Sequence, residues 1–353
     1  LTTSPQTKNI LVAPLNWGLG HATRCIPLIR ALLAQRFKPI IASDGAALDF
    51  LKKEFPELTF LELPSYQIAY AKKGKNLKWK LLVQSPKIVK VVYREHQLVN
   101  RWVAEHLLCG IISDNRLGCY SAKIPSVYLT HQLRVLSGNT TWFSTKIHQF
   151  FIKKYTECWV PDIDATVNLS GKMGHTQLKN IPIKYLGVLS RFSKKESTLQ
   201  NHLLVLISGP EPQRTLLEKK LLQALQNYPE KTILIQGKVA EKQTIETPNN
   251  NLTIYNYMTS AELENTINGS EMVLCRSGYS SIMDLVCLEK KAFLTPTPGQ
   301  YEQEYVAQHM KQQGFFNFAQ QETFSIDDLQ TTTAFQKIAL KQETAWEKLF
   351  AIF

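Results

Sequence analysis

Residues 8–35, KNILVAPLNWGLGHATRCIPLIRALLAQ, decide the fold class. Residues 8–15 (KNILVAPL) form a short apolar run of the kind that makes a strand buried on both faces. Residues 22–35 repeat their apolar side chains near helical spacing. The two are joined by Asn16-Trp17-Gly18-Leu19-Gly20-His21, where glycine permits a tight turn and the start of a helix offers unpaired N–H groups to an anion. Residues 39–43 (PIIAS) then read as a second strand. Strand, turn, helix, strand is a crossover unit, and crossover units make parallel sheets with covered faces.

Outward from this unit the pattern continues. Residues 59–63, 110–113, 126–130 and 158–160 are further strand candidates, with helical stretches between several of them. A second series opens at residues 202–208 (HLLVLIS) and runs through 232–236, 252–255, 272–275 and 292–295. The expected fold is α/β, with two doubly wound Rossmann-like domains in tandem and facing across a cleft. The boundary is placed at residues 189/190, with residues 180–195 as the linker.

At 353 residues the chain is about twice a typical single domain. With 44% hydrophobic and 20% charged residues it is neither a disordered chain nor a membrane bundle. No apolar run reaches about 18 residues, and residues 1–5 (LTTSP) lack the parts of a secretion signal, so the expected location is cytoplasmic. Six scattered cysteines show no CxxC pair or zinc spacing, which predicts reduced thiols and no metal site.

The net charge of +12 is uneven: residues 1–190 hold 25 Lys and Arg against 11 Asp and Glu, while the remainder holds 16 against 18. Residues 72–101 alone carry nine basic side chains and one acid, interleaved with aromatic and aliphatic ones, and residues 142–154 (WFSTKIHQFFIKK) repeat the theme. Such stretches suit an anionic membrane surface in a peripheral protein. With no nucleic-acid-binding module recognisable, nucleic acid is not expected as a partner.

In an open α/β sheet, function gathers beyond the carboxyl ends of the strands. Polar residues stand at three such ends in the first half: Asn16, Gly18, Gly20 and His21; Asp114 with Asn115 and Arg116; and Thr130 with His131. This is not a dinucleotide fingerprint, because the third glycine of GxGxxG is replaced and Asp44 only weakly matches the acid ending the second strand. In the second half, Ser208-Gly209-Pro210 and the nearby Arg214 form a turn suited to phosphate. The densest signal is residues 275–284, CRSGYSSIMD, followed by residues 295–304, TPTPGQYEQE. A strand entering Arg276-Ser277-Gly278 with Ser280 puts glycine, hydroxyls and a helix N-terminus together, as a pyrophosphate requires.

The patterns RSGYSSIMDL and PTPGQYEQ resemble the donor-binding half of GT-B glycosyltransferases, and the chain is similar to glycosyltransferase family 28 over nearly its whole length. That family includes the enzyme that adds N-acetylglucosamine to the lipid-linked intermediate of peptidoglycan. The resemblance implies an inverting transferase that takes a sugar, such as N-acetylglucosamine, from a UDP-linked donor to an acceptor of lipid-linked or other glycan-precursor type, with no metal or other cofactor. It implies an acceptor-binding first domain, a donor-binding second domain at residues 190–353, and a last helix, containing Trp346, able to cross back to the first. It assigns Asp284 to the ribose hydroxyls, Ser277, Gly278, Ser280 and Arg276 to the diphosphate, and Ser208 and Gly209 to the phosphate turn. Gln300, Glu302 and Gln303 fall where the donor sugar is held, and His21 lies near the reacting centre. Candidates for the base are His21, then Asp114, then His131. The first loop is poorer in glycine than in the family, and Asp284 stands where Glu is usual. Two alternatives remain open: a GT-B epimerase acting on the nucleotide sugar, and a non-catalytic, membrane-associated nucleotide-sugar-binding protein.

Overall fold

The computed structural model describes residues 8–66, 77–238, 240–332 and 344–353, with backbone alone for residues 77–86. The chain divides into two units. The first comprises residues 8–66, 77–191 and 344–353, and the second residues 192–332 apart from residue 239.

The first unit runs β1 (Asn9–Pro14), α1 (Gly20–Ala34), β2 (Lys38–Ser43), α2 (Gly45–Glu54), β3 (Thr59–Glu62), α3 (Leu77–Glu105), β4 (Leu108–Asp114), β5 (Ser126–Leu129), α4 (Thr141–Ile152), β6 (Glu157–Val160) and β7 (Ile183–Tyr185). Its seven strands lie in the order β3-β2-β1-β4-β5-β6-β7, every pair parallel. This is the doubly wound order, with the topological switch point between β1 and β4. The residues chosen for the central strands explain it: Ile10, Leu11, Val12, Ile111 and Ile112 are fully buried, as strands covered on both faces demand. One side packs on α3 through Val99 and Trp102.

Part of the stretch read as a linker is instead the edge strand β7, paired with β6 from Cys158↔Ile183 to Val160↔Tyr185. The chain leaves this unit after residue 191. It returns near its end, where α9 (Trp346–Phe350) buries Phe350 against Phe37 and Trp159. The Phe353 ring lies so close to Gly110 that a Cβ there would sit 2.1 Å from it, so β4 needs glycine at this point.

The second unit runs β8 (Asn201–Leu206), α5 (Gln213–Leu225), β9 (Thr232–Ile235), β10 (Ile245–Asn249), β11 (Leu252–Tyr255), α6 (Ser260–Asn268), β12 (Ser270–Cys275), α7 (Tyr279–Cys287), β13 (Lys291–Leu294), α8 (Tyr301–Gln312) and β14 (Asn317–Phe318). Its order is β10-β11-β9-β8-β12-β13-β14, parallel except for the outer β10·β11 pair. Without β10 this is the same doubly wound order, and its switch point falls between β8 and β12. Leu203, Val205 and Leu274 pack on Leu217, Leu221 and Leu225 of α5.

No helix among the described residues is long and apolar enough to cross a membrane. Of the basic stretch at residues 72–101, Lys72, Lys73 and Lys75 lie outside the described residues, and Lys78 and Lys80 are described only as backbone of α3. Further along α3, Val92, Glu95, Val99 and Trp102 are buried at helical spacing while Lys87, Lys90, Arg94 and Arg101 are exposed. That part is an ordinary core-packing helix with a solvated basic side. Helix α4 differs: Trp142, Phe143, Ile147 and Phe150 are all exposed beside Lys146, Lys153 and Lys154.

Candidate active site

In the first unit the structure brings His21, Asp114 and His131 together. His21 sits in the first turn of α1, which begins two residues earlier than the apolar spacing suggests, and Asp114 is the last residue of β4. His21 Nδ1 lies 2.9 Å from Asp114 Oδ1. Between the histidines is Arg24, one turn on from His21 along the same helix face. Its Nε donates to Asp114 Oδ2 at 2.6 Å, its Nη2 donates to Asp114 Oδ1, and its Nη1 lies 2.9 Å from His131 Nδ1. Arg24, Asp114 and His131 are buried, whereas His21 is 14% exposed. Burial alone would raise the Asp114 carboxyl, but the Arg24 charge and then His21 outweigh it and hold the group well below the usual carboxylate range.

Asp114 therefore stays ionised, fully buried and saturated with donors, which suits it to orienting His21 and not to taking a proton from a ligand. Its partner Arg24 is not marked by any motif in the sequence, although a cation three residues after His21 is on the same face by helical geometry. Deeper in the same unit, Arg116 is enclosed by Glu95 Oε1 (2.7 Å), Asp44 and the Pro14 carbonyl (3.0 Å). Asn16 donates to Asp44 Oδ2 (3.2 Å) and accepts from the Ala47 amide (3.3 Å), so it braces the turn after β2. Asp44 is consumed by this cluster, which agrees with its weak claim as a ribose ligand. Gly18 has φ +75° with open space around it, and Gly20 opens α1. On α4, His148 keeps its Nε2 buried with no partner. Burial, and then the nearby His131, push its pKa down to about 4.

In the second unit the turns after β8, β12 and β13 meet at the switch point. Arg276 is 1% exposed. Its Nη1 donates to the carbonyls of Thr295 (3.1 Å) and Pro296 (3.0 Å), and its Nη2 donates to the Gln213 carbonyl (3.0 Å) and Gln321 Oε1 (2.5 Å). All four Nη protons are thereby used. Arg276 Nε, Thr295 Oγ1 and Thr297 Oγ1 are buried with no hydrogen-bond partner, and a buried polar group left so costs about 1–3 kcal/mol. Gly209, at φ +107°, is beside two of them: a Cβ added to it would stand 3.5 Å from Thr297 Oγ1 and 4.0 Å from Arg276 Nε. Burial brings the guanidinium down to about 10, so it keeps its charge at neutral pH.

Around this cradle, Gly278 is the N-cap of α7 and supplies no side-chain cap, Ser280 lies in the first turn, and Asp284 follows one turn later, half-buried. Ser277 is fully buried and donates its hydroxyl proton to the Gln303 carbonyl (2.8 Å), bracing α8. Gln303 Oε1 accepts from the Thr297 amide (2.9 Å), Gln300 caps α8 through its position, and Glu302 lies half-buried in the first turn. Ser208 is exposed beside Gly209.

Arg214 departs from the expectation of a phosphate ligand. It bonds Glu211 through Nε (2.7 Å), Glu218 through Nη1 (2.7 Å) and Thr215 through Nη2 (3.0 Å). Acids three residues before and four after it claim the guanidinium. Thr295 and Thr297 lie within the quoted stretch TPTPGQYEQE, but neither of them takes a role from the sequence pattern. Their signal is two hydroxyls, each followed by proline, at a strand end. Among the described residues no group of three or more His, Cys, Asp or Glu converges as a metal site.

Two tandem doubly wound units, each with a polar cluster at its switch point, define the GT-B glycosyltransferase fold. Residues 197–348, the greater part of the second unit together with the start of α9, match the glycosyltransferase family 28 C-terminal domain. A UDP-N-acetylglucosamine--N-acetylmuramyl-(pentapeptide) pyrophosphoryl-undecaprenol N-acetylglucosamine transferase from Sulfurihydrogenibium sp. (strain YO3AOP1) is 26% identical over 186 residues. The alignment covers 52% of this chain and 48% of that protein, so the chain spans about half the length of the curated relative it matches. Among solved structures, the glycotransferase of kitacinnamycin superposes with a TM-score of 0.65 at 13% identity, covering 93% of this chain and 90% of that one. MurG of Acinetobacter baumannii does so with a TM-score of 0.53 at 12% identity, covering 92% and 89%. These likenesses carry the fold.

Proposed function

We propose that the protein is an inverting glycosyltransferase that moves a sugar from a UDP-linked donor to a hydroxyl of a lipid-linked acceptor, with N-acetylglucosamine the first sugar to test. The observation that carries this reading is the trio of buried, unpartnered atoms at the second unit's switch point, Arg276 Nε, Thr295 Oγ1 and Thr297 Oγ1, with Gly209 leaving room beside them. Arg276 Nε is a charged donor, a hydroxyl donates readily to an anionic oxygen, and the uncapped start of α7 adds amide dipoles. Together they match a diphosphate. Asp284, Glu302 and Gln303 are assigned to the sugar hydroxyls of the donor, and Ser208, Gly209, Ser280 and Gln300 to the backbone turns around it. The relative's name supports UDP-N-acetylglucosamine and a polyprenyl-linked acceptor.

His21 is the base in this reading. With Nδ1–H held by anionic Asp114, its lone pair is on Nε2. Nε2 takes the acceptor hydroxyl proton, the hydroxyl oxygen forms a bond to the anomeric carbon, and the bond from that carbon to the phosphate oxygen breaks with inversion. The departing charge is met by Arg276 and the α7 dipole, so the reaction needs no metal, and chelation with EDTA leaves turnover unchanged. The lipid-linked acceptor places the enzyme at a cytoplasmic membrane surface. Helix α4, with Trp142, Phe143, Ile147 and Phe150 exposed between lysines, is the face assigned to anionic lipid.

The test is product analysis with UDP-N-acetylglucosamine and a panel of other nucleotide sugars, each with and without a polyprenyl-diphosphate-linked glycan acceptor. Acceptor-dependent release of UDP with a new inverted glycosidic bond is expected. Epimerised sugar formed without acceptor, or binding without turnover, contradicts the transferase reading.

A further inference from the structure

Valence and charge determine where the two histidines of the first unit carry their protons. An ionised carboxylate can only accept and a guanidinium can only donate. His21 Nδ1, 2.9 Å from Asp114 Oδ1, is therefore the protonated nitrogen of its ring. His131 Nδ1, 2.9 Å from Arg24 Nη1, is the unprotonated one, and a neutral imidazole that accepts at Nδ1 carries its hydrogen on Nε2. Two contacts compete. The Gln132 amide nitrogen lies 3.5 Å from His131 Nε2, at the outer limit of a hydrogen bond and weaker than the 2.9 Å charged contact at Nδ1. Arg24 Nη2 also lies 2.8 Å from His21 Nδ1. Making His21 accept there would set its Nδ1 lone pair against a carboxylate oxygen at 2.9 Å. Arg24 Nη2 donates to Asp114 Oδ1, and the anionic carboxylate is a stronger acceptor than a ring nitrogen, so Asp114 takes the His21 proton.

We propose that Arg24 is a positioning residue that imposes opposite tautomers on the two histidines: Nδ1–H on His21, through the Asp114 carboxylate it holds, and Nε2–H on His131, through its own Nη1. Its fork spans both Asp114 oxygens and reaches His131 from one rigid plane, a geometry a lysine does not reproduce. His21 Nε2 is left as the basic nitrogen of the cluster. His131, whose Nδ1 accepts from a cation and whose Nε2 is protonated, anchors the far end of the guanidinium and does not serve as a second base. The consequence for turnover rests on the glycosyl-transfer reading, whereas the proton positions do not.

The experiment is a long-range proton–nitrogen correlation spectrum of the full chain labelled with 15N-histidine, near pH 8. His21 and His131 signals are assigned by their loss in His21→Gln and His131→Gln. The expected result is Nδ1–H for His21 and Nε2–H for His131, and Arg24→Gln moves His131 to a mixture of tautomers. In acceptor assays Arg24→Gln lowers kcat by about 10²-fold with KM changed far less, as expected for a misoriented base. His131 protonated at Nδ1, His21 protonated at Nε2, or tautomers unaltered in a folded Arg24→Gln protein would overturn the proposal. If Arg24→Gln does not fold, the wild-type spectrum decides the proton positions alone. Failure to find any glycosyl transfer removes the functional reading, while the histidine spectrum still decides the tautomers independently.

Discussion

The two units repeat one strand order yet treat their switch points differently. In the first, Asp114, Arg24, His21 and His131 consume one another's charge, and Arg116 is enclosed by Glu95 and Asp44. In the second, Arg276 spends its Nη protons on carbonyls and an amide but keeps Nε unpartnered beside Gly209, with two threonine hydroxyls in the same condition. Under the proposed function the closed network orients a proton acceptor, whereas the open one is assigned to an anion from outside. The basic excess of the first half thus does not imply that the phosphate site is there.

This contrast can be broken first at Asp114. Asp114→Asn frees the His21 tautomer and strands the Arg24 charge, so kcat falls by about 10²–10⁴-fold. Stability falls by about 3–5 kcal/mol, as when one partner leaves a buried ion pair. Turnover assays and urea unfolding measure both, and a small effect on either would mean the network is not closed in solution.

The same kind of change in the second unit has the opposite effect on stability. Thr297→Val removes a buried hydroxyl that has no partner, so unfolding of the ligand-free protein is unchanged or delayed, while UDP affinity drops about tenfold, the worth of one hydrogen bond to a charged group. Thermal melts with and without UDP read the two outcomes together.

Acid should destabilise the first unit through its buried titratable groups. His148 is held near pKa 4 in the fold against about 6.5 in an unfolded chain. Protons therefore favour the unfolded state, and the stability present above about pH 6.5 is lost as pH falls toward about 4. Asp114, also depressed, extends the loss below about pH 4. Urea midpoints across this range should fall, and His148→Gln should flatten the upper part of the decline.

The smallest effect on the folded state belongs to α4. Trp142 is 72% exposed and Phe150 57%, so Trp142→Ala with Phe150→Ala shifts stability by no more than about 0.5 kcal/mol each. Sedimentation with anionic vesicles should nevertheless drop, and equal binding by the double variant would remove α4 as the lipid face.

Periodicity revealed both sheets because their central strands are continuous apolar runs with helices between. It did not reveal β7, three half-buried residues at a sheet edge, because Ile183-Lys184-Tyr185 carries no alternation long enough to register. The candidate site was legible where one short motif holds the chemistry, as at His21 or at residues 276–284. It was illegible where partners are distant in sequence: Arg24 and Asp114 are 90 residues apart. Arg214 shows the reverse case, since Glu211 and Glu218 at helical spacing already indicated that its charge would be claimed.

The most direct test of the open cradle is calorimetric titration of UDP and UMP into the wild-type protein and Thr297→Val. UDP is expected to bind far more tightly than UMP, and the substitution to erode the UDP affinity while leaving the UMP value alone. Equal affinity for the two nucleotides, or a UDP affinity indifferent to Thr297→Val, would contradict it.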